Sequence, residues 1–160
     1  MPEKLSPSDF LEAAKTYPVL DVRSPGEYTR ARIPVAISFP IFDDAQRAEV
    51  GTLYKQVSPF AARRVGAVLV AKNVAHWIET YFMDRPREWK PLVYCWRGGQ
   101  RSGAFTHILR EVGWSAKRLQ GGYKSWRGHV IEQLNIVPKP LRFTVVAGPT
   151  GSAKTRILEA

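Results

Sequence analysis

A chain of 160 residues with 44% hydrophobic content can bury one ordinary core with little left over. Its single cysteine excludes an internal disulfide and fits a reducing cytosol; no apolar run is long enough to span a bilayer, and the Met-Pro-Glu-Lys start lacks a signal peptide's apolar segment. With 24 Lys and Arg against 14 Asp and Glu, the net charge of +10 points to an anionic partner, nucleic acid ahead of acidic membrane.

Ser6-Pro-Ser-Asp-Phe-Leu-Glu-Ala-Ala-Lys opens as a helix, with Ser6 as N-cap, Pro7 at the first position, and Phe10, Ala13 and Ala14 on one face. Val19 to Val22 reads as a short strand. At its end, Asp21 beside Arg23 is expected to be a buried pair or turn-former and not a catalytic carboxylate. Ala36 to Phe39 is a second strand closed by Pro40, and Asp43 to Gln56 a helix. The longest helical pattern runs from Ala61 to Phe82. Val65, Val68, Leu69, Ala75, Ile78 and Phe82 recur in it at three- and four-residue spacing, which predicts a core-facing amphipathic helix. His76 and Trp77 read as packing residues. Histidines at 76, 107 and 129 and a cysteine at 95 show no metal-ligand spacing, so no metal is expected.

A charged connector, Asp84 to Pro91, leads into Leu92-Val-Tyr94, the end of a buried strand, and then to Cys95. A lone cysteine at a strand end is ordinarily inert. Here Gly98 and Gly99 let the backbone curl, a helix begins near Ser102, and Arg97 and Arg101 add positive charge. Such a loop turns its N–H groups inward at the positive end of a helix dipole, cradles an anion, and favours a thiolate at its floor. Beyond it, Ser102 to Val112 is helical with Phe105, Ile108, Leu109 and Val112 inward, and Gly113 caps it. Lys117 to Gln120 is a strand, and Gly121-Gly-Tyr-Lys-Ser-Trp126 opens a helix to about Leu134. Strands alternating with helices predict an α/β domain with a mainly parallel sheet and Cys95 at the carboxyl end of a strand.

Cys95-Trp-Arg-Gly-Gly-Gln-Arg-Ser102 resembles the active-site loop of rhodanese domains, a sulfurtransferase fold, and its form with two glycines and Gln-Arg-Ser resembles that of bacterial tRNA 2-selenouridine synthases. Asp21-Val-Arg23 followed by Glu27-Tyr28 is similar to the first rhodanese signature, and Leu119 to Arg127 to the closing one. Val50 to Gln56 again resembles the selenouridine synthases. Ala31-Arg-Ile-Pro-Val-Ala36 departs from the rhodanese pattern, with Arg32 where a histidine is usual. Arg101 stands six positions after Cys95, one more than in common rhodaneses, so the ring of amides suits a larger anion. The same spacing occurs in the Cys-x5-Arg loop of dual-specificity phosphatases.

Past residue 140, Leu141 to Ala147 reads as an apolar strand, followed by Gly148-Pro-Thr-Gly-Ser-Ala-Lys-Thr155, nearly a Walker A phosphate loop. Gly148, Gly151, Lys154 and Thr155 are its candidate phosphate-binding residues, and Ala153 replaces its last glycine. The expected organisation is therefore a rhodanese-like domain over 1–138 and the start of an incomplete P-loop domain over 139–160. The resemblance implies a cytoplasmic tRNA-modifying selenotransferase, replacing the sulfur of wobble 2-thiouridine by selenium. Selenophosphate and geranyl diphosphate would be co-substrates, with a geranylated intermediate, no permanently bound cofactor and no membrane partner. Cys95 would carry the chalcogen, with Arg97, Arg101 and the loop residues Trp96, Gly98, Gly99, Gln100 and Ser102 stabilising the anion. Three alternatives stay open. They are a phosphatase using Asp43 or Asp44 as general acid, a plain sulfurtransferase, and a non-catalytic basic RNA-binding module.

Overall fold

The computed structural model describes residues 3–142 and 144–158, which fall into two compact units, Met1–Val130 and Ile131–Ala160. In chain order the elements are β1 (Lys4–Leu5), α1 (Pro7–Ala13), β2 (Val19–Asp21), α2 (Pro25–Arg30), β3 (Ala36–Ser38), α3 (Asp44–Gln56) and α4 (Pro59–Trp77). A π-helical turn (Ile78–Phe82) follows, then β4 (Leu92–Tyr94), α5 (Gln100–Val112), β5 (Lys117–Leu119), α6 (Gly122–Ile136) and α7 (Lys154–Leu158). The five strands form one parallel sheet in the order β1-β5-β4-β2-β3. The expected rhodanese-like α/β architecture is thus present. Chain order reverses between β2 and β4, and that switch point is where open parallel sheets place their sites.

Period-two alternation divides the core between the two faces. Leu20, Val22, Val93 and Cys95 pack with Phe105 and Leu109 of α5, Val74 of α4 and Phe82. Val19, Leu92 and Tyr94 pack instead with Phe10 of α1 and Tyr123 of α6. Ser6 caps α1 as the sequence predicts, accepting from Asp9 N. Asp43, expected from the sequence to lie inside α3, is its N-cap instead and accepts from Gln46 N at 2.7 Å. Gly113 closes α5 in the left-handed region at φ 112°. Two elements escaped prediction: the two-residue β1, and α2, which starts at Pro25 after Ser24.

The predicted inward face of the long helix needs correction. Val68 and Ala75 are exposed, and Ala62, Gly66 and Val74 are buried in their place. Trp77 does pack, donating its indole N–H to Pro40 O at 2.9 Å, whereas His76 is exposed. Its polar residues Arg63, Arg64, Lys72, Asn73 and His76 fall on several sides and apolar ones lie between them, so the spacing fits more than one stripe, and packing with Phe42 and Val50 decides which one is buried. Val112 is likewise exposed, not inward. Leu141, Arg142 and Thr144 to Ala147 are not in a strand, and Phe143 lies outside the described residues. Among the described residues its unit offers no partner strand, and a single apolar segment then has no ladder to join.

Asp21 and Arg23 form the buried pair expected of them, 0% and 1% exposed. Arg23 donates to Asp21 through its backbone N–H, through Nε and through Nη2 at 2.6 Å, and Nη2 also reaches Ala31 O at 2.7 Å. Tyr94 donates its hydroxyl to the same carboxylate at 2.6 Å. Burial, then the charge and hydrogen bond of Asp21, push the Tyr94 phenol well above its usual range. Burial alone would lower the Arg23 guanidinium, but the Asp21 carboxylate overrides it and raises it. Truncating one partner strands the other, so Asp21→Ala should lower stability by about 3–5 kcal/mol, seen as a lower urea midpoint. The double variant Asp21→Leu/Arg23→Met should lose less than the single one. An Asp21→Ala protein as stable as the parent would refute this account of the pair.

Candidate functional site

Cys95 follows the central strand β4 and is 3% exposed. The loop from Cys95 to Gly99 leads into α5, whose first residue is Gln100. Its main chain is clipped to the start of α6. Tyr123 N donates to Cys95 O at 2.9 Å and Lys124 N to Trp96 O at 3.0 Å. These N–H groups have no partner inside their own helix, so the loop satisfies them and is held by them. With every peptide trans, a carbonyl turned toward α6 turns the N–H of the same peptide away from it. The amides of Trp96 and Arg97 therefore face away from α6.

This close approach dictates two glycines. Gly98 and Gly122 both sit at φ 63°. A Cβ on Gly122 would stand 2.2 Å from Cys95 O and 2.4 Å from Gly98 N, and one on Gly98 would stand 2.7 Å from Leu119 O. Among the described residues the thiol's hydrogen-bond partner is Ser102 Oγ at 3.2 Å, with Ser102 fully buried in the first turn of α5. Of the residues singled out in the sequence, Ser102 is the one within hydrogen-bond distance of the Cys95 thiol. Gly99 and Gln100 are exposed at the loop's outer turn, and Arg97 is exposed as well.

Beside the loop lies a cavity of about 490 Å³, lined by Arg23, Arg30, Arg47, Arg101, Arg127, Glu27, Ala31, Trp96 and Tyr123. Trp96, from the loop, and Arg101, from the first turn of α5, both line it. Arg101 donates to Glu27 at 2.6 and 3.3 Å, and Arg47 pairs with the same carboxylate at 3.0 Å. Ser24 N adds a further donor at 3.1 Å. Burial would raise the Glu27 carboxyl, but the Arg101 hydrogen bonds and charge, Ser24 and Arg47 together bring it down to about 2. Sequence reasoning missed Glu27, Arg23, Arg47, Arg127 and Tyr123 as site residues. The signal for Glu27 was present, since Ser24 followed three residues later by Glu is capping-box spacing.

The two candidate general acids are otherwise occupied. Asp43 caps α3, and Asp44 accepts from Gly26 N at 3.0 Å. Gly148, Gly151, Lys154 and Thr155 belong to the second unit. There Lys154 Nζ donates to Gly148 O at 2.9 Å and Pro149 O at 2.6 Å, so the loop closes around its own lysine. Ala153 occupies the left-handed region at φ 57°, a conformation costly for a residue with a Cβ. Among the described residues, no group of three or more His, Cys, Asp or Glu could hold a metal ion. Among them, too, no helix is long and apolar enough to cross a membrane.

Two measurements follow from this geometry. Gly122→Ala should cost at least about 2 kcal/mol through forced φ and collision with Cys95 O. Gly128→Ala, in the same helix with nothing within 4 Å of the added carbon, should be neutral or stabilise by up to about 1 kcal/mol. Equal denaturation midpoints for the two would refute the clip. Glu27 gives a pH signature. Its folded pKa is depressed, so its contribution is fully present above about 4.5 and is lost as pH falls toward about 2. At 1.36 kcal/mol per pH unit this is on the order of 3 kcal/mol. The parent should therefore lose markedly more stability than Glu27→Gln between neutral pH and about pH 3. Parallel losses would remove Glu27 from that role.

Comparison with known proteins agrees with this geometry. The model of the family described as "Rhodanese-like domain" matches residues 6–129. The tRNA 2-selenouridine synthase of Nitrosomonas europaea is 36% identical over 146 residues, covering 88% of this chain and 37% of that protein. That of Bdellovibrio bacteriovorus is 37% identical, covering 88% of this chain and 38% of its own length. The chain therefore spans about two-fifths of the length of these relatives. Among solved structures, the N-terminal domain of a putative ATP/GTP binding protein from Clostridium difficile 630 matches with TM-score 0.67 and 29% identity, over 81% of this chain and 99% of that one. A rhodanese-related protein from Thermoplasma volcanium matches with TM-score 0.52 and 23% identity, over 79% and 92%, a likeness of fold. With its Cys95 loop clipped between β4 and α6 of a parallel sheet, and a family match over most of its length, this chain belongs to the rhodanese-like domain family.

Proposed function

We propose that the chain carries the chalcogen-transfer site of a tRNA-modifying selenotransferase, which replaces the sulfur of wobble 2-thiouridine by selenium. The observation that carries this reading is the lone Cys95, buried at the start of a loop whose carbonyls are tied back to α6, with an arginine-lined cavity beside that loop. The names of the relatives, over the part of their length that this chain spans, point the same way. In this reading the Cys95 sulfur attacks the terminal chalcogen of a tetrahedral donor. A bond from sulfur to chalcogen forms as the donor's bond to that chalcogen breaks, and the remaining oxyanion leaves with the bonding pair. With thiosulfate the leaving group is sulfite; with selenophosphate the selenium–phosphorus bond breaks, its electron pair stays on phosphorus, which leaves as phosphite, and the selenium stays on Cys95 oxidised by the same two electrons. Loop amides, Arg97 and an Arg101 positioned by Glu27 balance the negative charge.

Residues 1–138 then act as the transfer domain, and 139–160 open a phosphate-binding unit. Gly148, Gly151, Lys154 and Thr155 would hold the diphosphate of geranyl diphosphate, the source of a geranylated uridine intermediate. The phosphatase alternative is disfavoured because Asp43 and Asp44 are both committed to main-chain donors.

The test is mass spectrometry of the Cys95 peptide after exposure of the protein to selenophosphate. The selenium isotope pattern, which a phosphoryl group of nearly equal mass lacks, should appear on Cys95 and vanish in Cys95→Ser. Arg101→Ala should slow loading by at least about tenfold. A phosphoryl adduct would favour the phosphatase chemistry. Loading from thiosulfate but not from selenophosphate would leave a plain sulfurtransferase.

A further inference from the structure

We propose that the arginine-lined cavity beside Cys95 is the slot for one unstacked nucleotide of an RNA loop, its base laid against Trp96 and its flanking phosphates held by Arg30 and Arg127. This rests on the proposed function and says which surface of this domain meets the RNA. Three features of the cavity argue for a nucleotide and against a small inorganic anion alone. The first is size. At about 490 Å³ the space lies within the range of sites for drug-sized ligands and far exceeds what one tetrahedral anion fills.

The second feature is charge. Five arginines line the cavity against the single carboxylate of Glu27. Arg23 is consumed by Asp21, and Arg47 and Arg101 share Glu27. Arg30 and Arg127 are exposed, and among the described residues no carboxylate lies within ion-pair distance of either. Two uncompensated guanidiniums on one rim are suited to two phosphates in succession along a backbone.

The third feature is aromatic. Tyr94 stacks on Tyr123 at 6.3 Å between centroids with rings 26° apart, and Tyr123 stacks on Trp96 at 5.7 Å and 29°. Tyr94 is 0% exposed and Tyr123 6% exposed, while Trp96 is half-buried and lines the cavity. Arg23 braces the column from below, its guanidinium 4.2 Å from the Tyr123 ring. A fixed aromatic ring at the edge of a basic groove is the arrangement by which proteins hold unstacked bases. A base stacked there is presented beside the loop that carries Cys95.

The experiment measures binding of a fluorescein-labelled RNA stem-loop, with 2-thiouridine in its loop, to the whole chain at several salt concentrations. Arg30→Ala/Arg127→Ala should weaken binding by about tenfold or more and lower the salt slope by about 2. Lys72→Ala/Arg87→Ala removes the same charge from exposed positions elsewhere and should change affinity less than about twofold. Trp96→Ala should weaken binding by about fivefold to a hundredfold, and Trp96→Tyr should restore most of it. A stem-loop with a photoreactive uridine in its loop gives a readout that needs no variant. Its cross-links should map to Trp96 or Tyr123. Equal losses in the two double variants, cross-links elsewhere, no RNA binding, or poly-glutamate binding as tightly as the RNA would each overturn the slot. Loading of Cys95 is scored separately on the parent protein. RNA held in the slot by a protein whose Cys95 never loads would sink the transfer reading and leave the slot. A loading Cys95 with RNA binding indifferent to the slot would do the reverse.

Discussion

Two main-chain hydrogen bonds, from the first N–H groups of α6 to the carbonyls of Cys95 and Trp96, fix the loop after β4 and much that surrounds it. A helix start in a protein interior needs acceptors, and a loop that is to offer its amides to an anion needs somewhere to turn its carbonyls. Each requirement answers the other. The cost falls on the sequence at Gly98 and Gly122, where left-handed backbone meets backbone at distances that leave no room for a side chain. The same clip sets Tyr123 beside Tyr94 and Trp96, so the aromatic column and the loop are positioned by one contact.

Charge is layered around this clip by depth. The innermost pair, Asp21 with Arg23, is excluded from water and ties the end of β2 to Tyr94, the residue before Cys95. Glu27 comes next, accepting from Arg101 and Arg47 and keeping its negative charge down to about pH 2. Outermost stand Arg30 and Arg127, exposed on the cavity rim. Positive charge is thus neutralised where burial makes a lone ion expensive and left uncompensated where solvent and partners can reach it.

What could be read from the sequence was local in the chain. The Cys95 loop, the Ser6 cap, the Gly113 terminus and the Asp21–Arg23 pair each involve residues a few positions apart, and each is where spacing placed it. The cavity was not legible, because Glu27, Arg47, Arg101 and Arg127 come from four separate segments that only the sheet's winding brings together. The buried stripe of α4 was misread for a related reason. A helix whose polar residues are spread around its circumference carries little phase information, and the burial of Ala62, Gly66 and Val74 is decided by neighbours. The segment 141–147 shows the converse limit, since an apolar run reads as a strand but becomes one only beside a partner.

The claim on which the rest depends is that the loop around Cys95 is a built anion site. The direct measurement is the rate at which iodoacetamide alkylates Cys95 at fixed pH and ionic strength while chloride is replaced by sulfate, an inert tetrahedral anion. The account predicts that the rate falls along a saturating curve as sulfate fills the loop, and that Gly122→Ala loses this protection. A rate indifferent to sulfate, or protection undiminished in Gly122→Ala, would contradict it.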